Sequence, residues 1–169
     1  IFAALATKAT SPKVELVNTD IEINGAASSS AGRISTPFAY LFSKIGAKSY
    51  SVSLDQCNIH GTARVDWSLF EQMESVSISN SQISIGGCDY HGYYINAPKR
   101  LQITGSTFTG RLGKYNTLVS VPNVKDYSHS IDNTTVDASV SKLFTTSPDR
   151  RHTRITNVRT RTTNRPITK

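Results

Sequence analysis

This sequence has little cysteine, no clustered histidine and no long apolar run. It holds two cysteines, Cys57 and Cys88. Neither has the close Cys or His spacing of a zinc site. They fall at corresponding but not identical places in neighbouring repeats, which favours two small core residues and leaves a disulfide open. His60, His91, His129 and His152 are dispersed, which argues against a metal cluster, so no metal or cofactor is expected. No apolar run approaches the length that spans a bilayer. The start, Ile1-Phe2-Ala3-Ala4-Leu5-Ala6, is too short and lacks the basic leader of a signal peptide. There is no Gly-x-Ser-x-Gly elbow, no phosphate-binding loop and no dinucleotide fingerprint. Two-residue hairpin signals are scarce.

Acids are missing from one end. From Arg150 to Lys169 there are seven cations and no acid. The chain has 19 Lys and Arg in all, which leaves 12 before that point, matched by all 12 Asp and Glu. The net charge of +7 therefore belongs to the tail. Arg150, Arg151, Arg154, Arg159, Arg161 and Arg165 are the candidate contacts for an acidic partner. They alternate with β-formers, as a solvated or partner-covered strand end would. No aromatic residue lies among them to stack on bases, so nucleic acid is not the favoured partner.

Ser, Thr, Asn, Val and Ile are abundant, a mixture that favours strands and turns. In the stretch Val76 to Gly87, Val76 and Ile78 alternate with Ser77 and Ser79. Asn80-Ser81-Gln82 breaks the run, and Ile83 and Ile85 resume it. Period-two alternation marks a half-buried strand, and the polar break reads as a corner. The same pattern recurs at Val14–Ile21, Val52–Ile59, Leu101–Phe108, His129–Val136 and, decayed, Thr153–Thr160. Its second apolar position falls at residues 16, 54, 78, 103, 131 and 155. An apolar cluster precedes most copies: Tyr40-Leu41-Phe42, Leu69-Phe70, Tyr93-Tyr94-Ile95, Leu118-Val119 and Leu143-Phe144. Pro98, Pro122 and Pro148 follow three of these clusters.

Three apolar segments per repeat, two polar corners and a loop predict an all-β fold. The expected architecture is a right-handed parallel β-helix of about six coils, each of roughly 24–28 residues, as a segment of a longer stack. Residues 1–13 read as an incomplete preceding coil or linker, 14–160 as the β-helix and 161–169 as a basic tail. Asn18, Asn80, Asn133 and Asn157 mark one corner and predict a ladder of stacked amides. Residues 26–32, small and polar, read as a loop ejected from the coil. Arg159 and Thr160 replace apolar core positions in the last copy, which fits a blunted stack end. A leucine-rich horseshoe would need regular Leu and a helix per repeat, and both are missing; a two-sheet sandwich would need hairpin signals, which are scarce.

The copies Val76-Ser-Ile-Ser-Asn-Ser-Gln-Ile and Leu101-Gln-Ile-Thr-Gly-Ser-Thr-Phe resemble the pectin-lyase-like β-helix superfamily. Within it they look most like the shaft of a bacteriophage tailspike or tail fibre, over roughly Val14 to Thr160. The resemblance implies a homotrimer in an extracellular virion tail, engaging host surface polysaccharide or other virion proteins; a secreted protein is the other location it allows. It also implies that some relatives cleave the polysaccharide. Polygalacturonase-type members carry four short motifs on successive coils. Here Asn18-Thr19-Asp20 matches the first and His91-Gly92 half of the third. Asp55-Gln56 and Lys99-Arg100-Leu101-Gln102 depart from the second and fourth.

Hydrolysis of a glycan by the usual route needs two carboxyl groups flanking one bond. The outward acids are Asp20, Glu22, Asp55, Asp66, Glu71, Glu74 and Asp89, of which Asp55, Asp66, Glu71, Glu74 and Asp89 are the catalytic candidates. Trp67, Tyr90, His91 and Tyr93 are the candidates for stacking on or bonding to a sugar. At least one of Tyr93 and Tyr94 is expected in the core. Structural and receptor-binding work is the expected function. A glycoside hydrolase or lyase, and an assembly module docking an acidic partner through the basic tail, are the alternatives.

Overall fold

In the computed structural model the described residues are 13–24, 40–43, 51–62, 67–71, 73–86, 92–110, 117–137 and 142–160. For 24, 40–43, 67, 68, 71, 92 and 93 only the strand and its pairing are described. The strands run in chain order as β1 (Lys13–Val17), β2 (Asp20–Asn24), β3 (Tyr40–Ser43), β4 (Ser51–Asp55), β5 (Asn58–Thr62) and β6 (Trp67–Glu71). They continue as β7 (Ser75–Ser79), β8 (Gln82–Gly86), β9 (Gly92–Asn96), β10 (Arg100–Thr104), β11 (Thr107–Thr109) and β12 (Thr117–Ser120). The last are β13 (Ser128–Asp132), β14 (Thr135–Val136), β15 (Lys142–Phe144), β16 (Thr153–Thr156) and β17 (Arg159–Thr160). No helix occurs among the described residues.

These strands form three sheets. The first has the order β1-β4-β7-β10-β13-β16, the second β2-β5-β8-β11-β14-β17 and the third β3-β6-β9-β12-β15. Every pairing is parallel. Parallel neighbours cannot be joined by a tight hairpin. The chain instead visits the three sheets in turn and returns to the first one strand further along. The result is a parallel β-solenoid. The register follows the sequence repeat. Leu16, Leu54, Ile78, Ile103, Ile131 and Ile155 are successive Cα partners in the first sheet. Ile21, Ile59, Ile83, Phe108, Val136 and Thr160 are partners in the second. Phe42, Phe70, Ile95, Val119 and Phe144 are partners in the third.

Burial alternates along the first two sheets, as in β4 and β7, where Val52, Leu54, Val76 and Ile78 are buried and their neighbours half-exposed. The third sheet differs. Adjacent residues are both buried at Leu69-Phe70, Tyr94-Ile95, Leu118-Val119 and Leu143-Phe144. Parallel strands covered on both faces carry such continuous apolar runs. Tyr94 is in the core: its ring meets Phe108 edge-on at 5.4 Å. Its hydroxyl donates to the carbonyls of Thr109 at 2.7 Å and Gly110 at 2.9 Å.

One residue turns the chain from the first sheet to the second at each level. These residues are Asn18, Gln56, Asn80, Gly105, Asn133 and Asn157, all with φ between 46° and 59°. That left-handed region costs most residues energy, and Asn and Gly least. The expected ladder of stacked amides is corrected accordingly. Asn157 Nδ2 donates to Asn133 Oδ1 at 3.0 Å, but Gln56 and Gly105 interrupt the column. Asn80 Nδ2 turns instead to Asp55 and Asn133 Nδ2 to Asp132. What continues through the corner is backbone. Each corner N–H donates to the carbonyl just before the next corner, from Asn18 to Asp55 at 3.0 Å through to Asn133 to Thr156 at 3.0 Å.

At every corner but the last, where Val158 follows Asn157, the next residue points its hydroxyl or thiol back into the turn. Ser81, Ser106 and Thr134 are buried and donate to the carbonyl two residues earlier, at 2.7, 2.9 and 2.8 Å. Cys57 occupies the same column; it is buried and free, with Sγ 3.4 Å from the Asp55 carbonyl. Cys88 lies outside the described residues. Arg159 is also corrected: it is exposed and in register with Thr135, so it points outward and not into the core. Thr160, the partner of Val136, does take a core column.

A second polar intrusion lies in the column Val14, Val52, Val76, Leu101, His129, Thr153. His129 is buried, and its Nε2–H donates to the Pro98 carbonyl at 2.9 Å. Its ring packs against Tyr127 at 4.8 Å and stacks on Phe144 at 6.2 Å. Among the described residues, His129 Nδ1 and the Thr153 hydroxyl have no partner. Burial holds the His129 imidazole below its ordinary value, against the opposing pull of the Pro98 bond.

Candidate functional site

The outward face of the first sheet is rich in hydroxyls. Ser51 and Ser53 on β4, Ser75, Ser77 and Ser79 on β7, and Ser128 and Ser130 on β13 lie in register on it, with Gln102 and Thr104 between them on β10. The period-two alternation that buries Val and Ile also brings these residues to one side. Neighbouring strands are about 4.8 Å apart, so the face is a closely spaced array of donors and acceptors.

Two catalytic candidates border this face. Asp55 ends β4 and accepts hydrogen bonds from Ser79 Oγ at 2.7 Å and Asn80 Nδ2 at 3.2 Å, both one strand along. Glu74 precedes β7, and its carboxylate lies 3.0 Å from Lys99 Nζ and 3.0 Å from Arg100 Nη1. Asp55 is in register with Ser79, five residues past Glu74. At ~3.3 Å per residue the two acids stand about 16 Å apart along the strand direction. Carboxyl pairs that cleave glycosidic bonds stand roughly 5 to 9.5 Å apart. These two acids are therefore engaged separately, at opposite ends of the neighbouring strands β4 and β7.

Of the other candidates, Asp66, Asp89, Tyr90, His91, Arg161 and Arg165 lie outside the described residues. Glu71 is in register with Ser43 and Asn96. Strands β6 and β9 are neighbours, which brings Trp67 and Tyr93 to adjacent levels. They are offset by one position, Trp67 pairing with Gly92 and Tyr93 with Ser68. Asn18, in the half-matched hydrolase motif, is a corner residue. Asp20 of the same motif accepts from His60 Nε2 at 3.2 Å and Asn58 Nδ2 at 2.6 Å. The bond from His60, then that from Asn58, holds the Asp20 carboxyl below its usual range.

The basic end is partly self-paired. Arg151 grips Asp149 through Nε and Nη2 and through its backbone N–H. These bonds hold the Asp149 carboxyl down at about 2. Arg150, Arg154 and Arg159 are exposed, the last two on the edge strands β16 and β17. The sequence singled out the cations from the tail onward and missed Lys99 and Arg100 beside Glu74. A like-for-like repeat alignment would have flagged them, since Lys99 precedes β10 where Glu74 precedes β7, and Arg100 opens β10 beside it.

Among the described residues no group of three or more His, Cys, Asp or Glu is placed to hold a metal ion. Also among them, no helix is long and apolar enough to cross a membrane. The fold defines the class, a parallel β-solenoid with a hydroxyl-rich sheet face. Comparison with known families, curated proteins and solved structures found no match.

Proposed function

We propose that this chain is a structural and receptor-binding element, a right-handed β-helical shaft of the phage tailspike or tail-fibre kind. It binds host surface polysaccharide along its outer faces and is held as a homotrimer beside other virion tail proteins. The right-handed coil follows from strand twist, which favours that hand in parallel crossovers. The observation that carries the reading is the face of Ser51, Ser53, Ser75, Ser77, Ser128 and Ser130, with its bordering acids Asp55 and Glu74 each tied to neighbours and far apart. Such a surface can exchange hydrogen bonds with sugar hydroxyls. Asp55 and Glu74 are too far apart to flank one glycosidic bond.

The test is incubation with purified bacterial capsular polysaccharides and lipopolysaccharide glycans, followed by two readings. Retention of intact glycan with no new reducing ends or unsaturated products is the expected result. Release of either product would overturn the non-catalytic reading, and failure to retain any glycan would overturn the receptor reading. Sedimentation at three times the chain mass, independent of concentration, is expected for the closed trimer.

A further inference from the structure

We propose that Tyr127, His129 and His152 form a proton-operated latch that holds the turn at 149–152, with its two arginines, against the solenoid. Three rings from two neighbouring levels meet there. The Tyr127 ring lies 4.8 Å from that of His129 and 5.2 Å from that of His152. Backbone bonds complete the contact. The Tyr127 hydroxyl accepts the Asp149 N–H at 2.9 Å. The Asp149 carbonyl accepts the His152 N–H at 3.0 Å, and the His152 carbonyl accepts the His129 N–H at 2.8 Å. The segments 127–129 and 149–152 are thus joined in a closed circuit. Tyr127 and His129 are buried in it, and His152 is half-buried. Arg150 and Arg151 stay exposed on the turn that the circuit fixes.

The closed circuit needs a neutral His129. Its Nε2–H is committed to the Pro98 carbonyl, so an added proton goes to Nδ1. That atom is buried and has no partner among the described residues. The hydroxyl of Thr153, the Cα partner of His129, is buried without a bond as well. A second N–H and a full charge would enter surroundings made by Leu101, Tyr127 and Phe144, where neither is compensated. The charged groups of the packed elements are engaged elsewhere or exposed. Lys125 and Asp126 on the same segment are exposed. On the turn, Asp149 pairs with Arg151 and Arg150 is exposed. On the preceding level, Glu74 pairs with Lys99 and Arg100, and Lys142 of β15 is exposed. Burial is therefore what disfavours the imidazolium, against the pull of the Pro98 bond. An open state that admits water to the ring binds the proton first. The latch is fully closed above the ordinary value of 6.5 and loosens as pH falls below it.

The test is amide hydrogen exchange of the full chain from about pH 8 to pH 5, with rates corrected for the intrinsic pH dependence of exchange. The amides of His129, Asp149 and His152 report the latch. Those of Asn80 and Gln82, bonded to the Thr104 and Cys57 carbonyls, report the rest of the stack. Below 6.5 protection of the latch amides should fall, by up to about tenfold per pH unit for a single proton. Protection of the reference amides should hold. His129→Leu and His129→Gln should each make the latch amides insensitive to pH, and the reference amides show that each variant is folded. Tyr127→Phe keeps the rings and removes the acceptor of the Asp149 N–H. It should expose that amide already at pH 8 while the acid response of the His129 amide persists. Latch amides that stay protected at pH 5 would overturn the proposal. So would loss of protection at equal rates in latch and reference amides, or an acid response that survives in both His129 variants.

Discussion

A single left-handed residue makes the corner at every level, and its side chain matters less than its backbone. Gly105 takes φ 59° where Asn80 and Asn133 take 49° and 46°. Gly105→Asn should therefore leave stability within about 0.5 kcal/mol, as the small φ penalty of Asn is offset by lower unfolded-chain entropy. The Asn80 amide, which lies 2.9 Å from where the new Cβ would sit, has to swing aside. Gly110 is the opposite case. Its φ is 97°, and a Cβ there would meet the Ile85 carbonyl oxygen at 2.1 Å. Gly110→Ala should cost well over about 1 kcal/mol, and chemical denaturation of the two variants checks the contrast. Asn18, Asn80, Asn133 and Asn157 were legible in the sequence as a corner because Asn tolerates this conformation. Gln56 was not, since nothing in its chemistry marks it as left-handed; it adopts φ 53° because the paired strands on both sides fix its place.

At the scale of elements, the first two sheets were readable because a half-buried strand must alternate. The stretch Val76 to Gly87 became β7, a corner at Asn80, and β8. The third sheet was legible only as apolar clusters, because Leu118 and Val119 are both buried and no alternation is left to read. His129 in β13 was a loose match to the repeat, and its burial shows why the looseness is tolerated: Pro98 and Phe144 complete its surroundings. Its folded-state value lies below the ordinary 6.5, so the unfolded chain takes up the proton first. The stability His129 contributes is complete above that ordinary value and declines as pH falls through it towards the folded value. His129→Leu restores the apolar column of Val52, Val76 and Leu101. Melting temperatures measured from about pH 8 to pH 5 should fall less steeply for this variant than for the wild type. Parallel profiles would show that His129 is not the group responsible. Asp20 and Asp149, both held low by their partners, give up their contributions only in more acidic solution, as pH falls below the usual carboxylate range.

For the whole molecule, the repeat in sequence and the repeat in space coincide. The positions 16, 54, 78, 103, 131 and 155 are one continuous column. The candidate site was less legible. Asp55 and Glu74 both read as outward acids, but only the register shows that they stand at opposite ends of neighbouring strands and face different partners. The glycan reading rests on this register. Paired spin labels on the outward column test it directly, in a chain with Cys57 and Cys88 replaced by serine. Serine at 57 has the precedent of Ser81 and Ser106 in the same column. Labels at Ser53 with Gln102, with Ser130 and with Arg154 are separated by two, three and four strand steps. The distances between them should rise by about 4.8 Å from each pair to the next. Distances that fail to rise in that order, or that spread as an unstructured chain would, would contradict the stack.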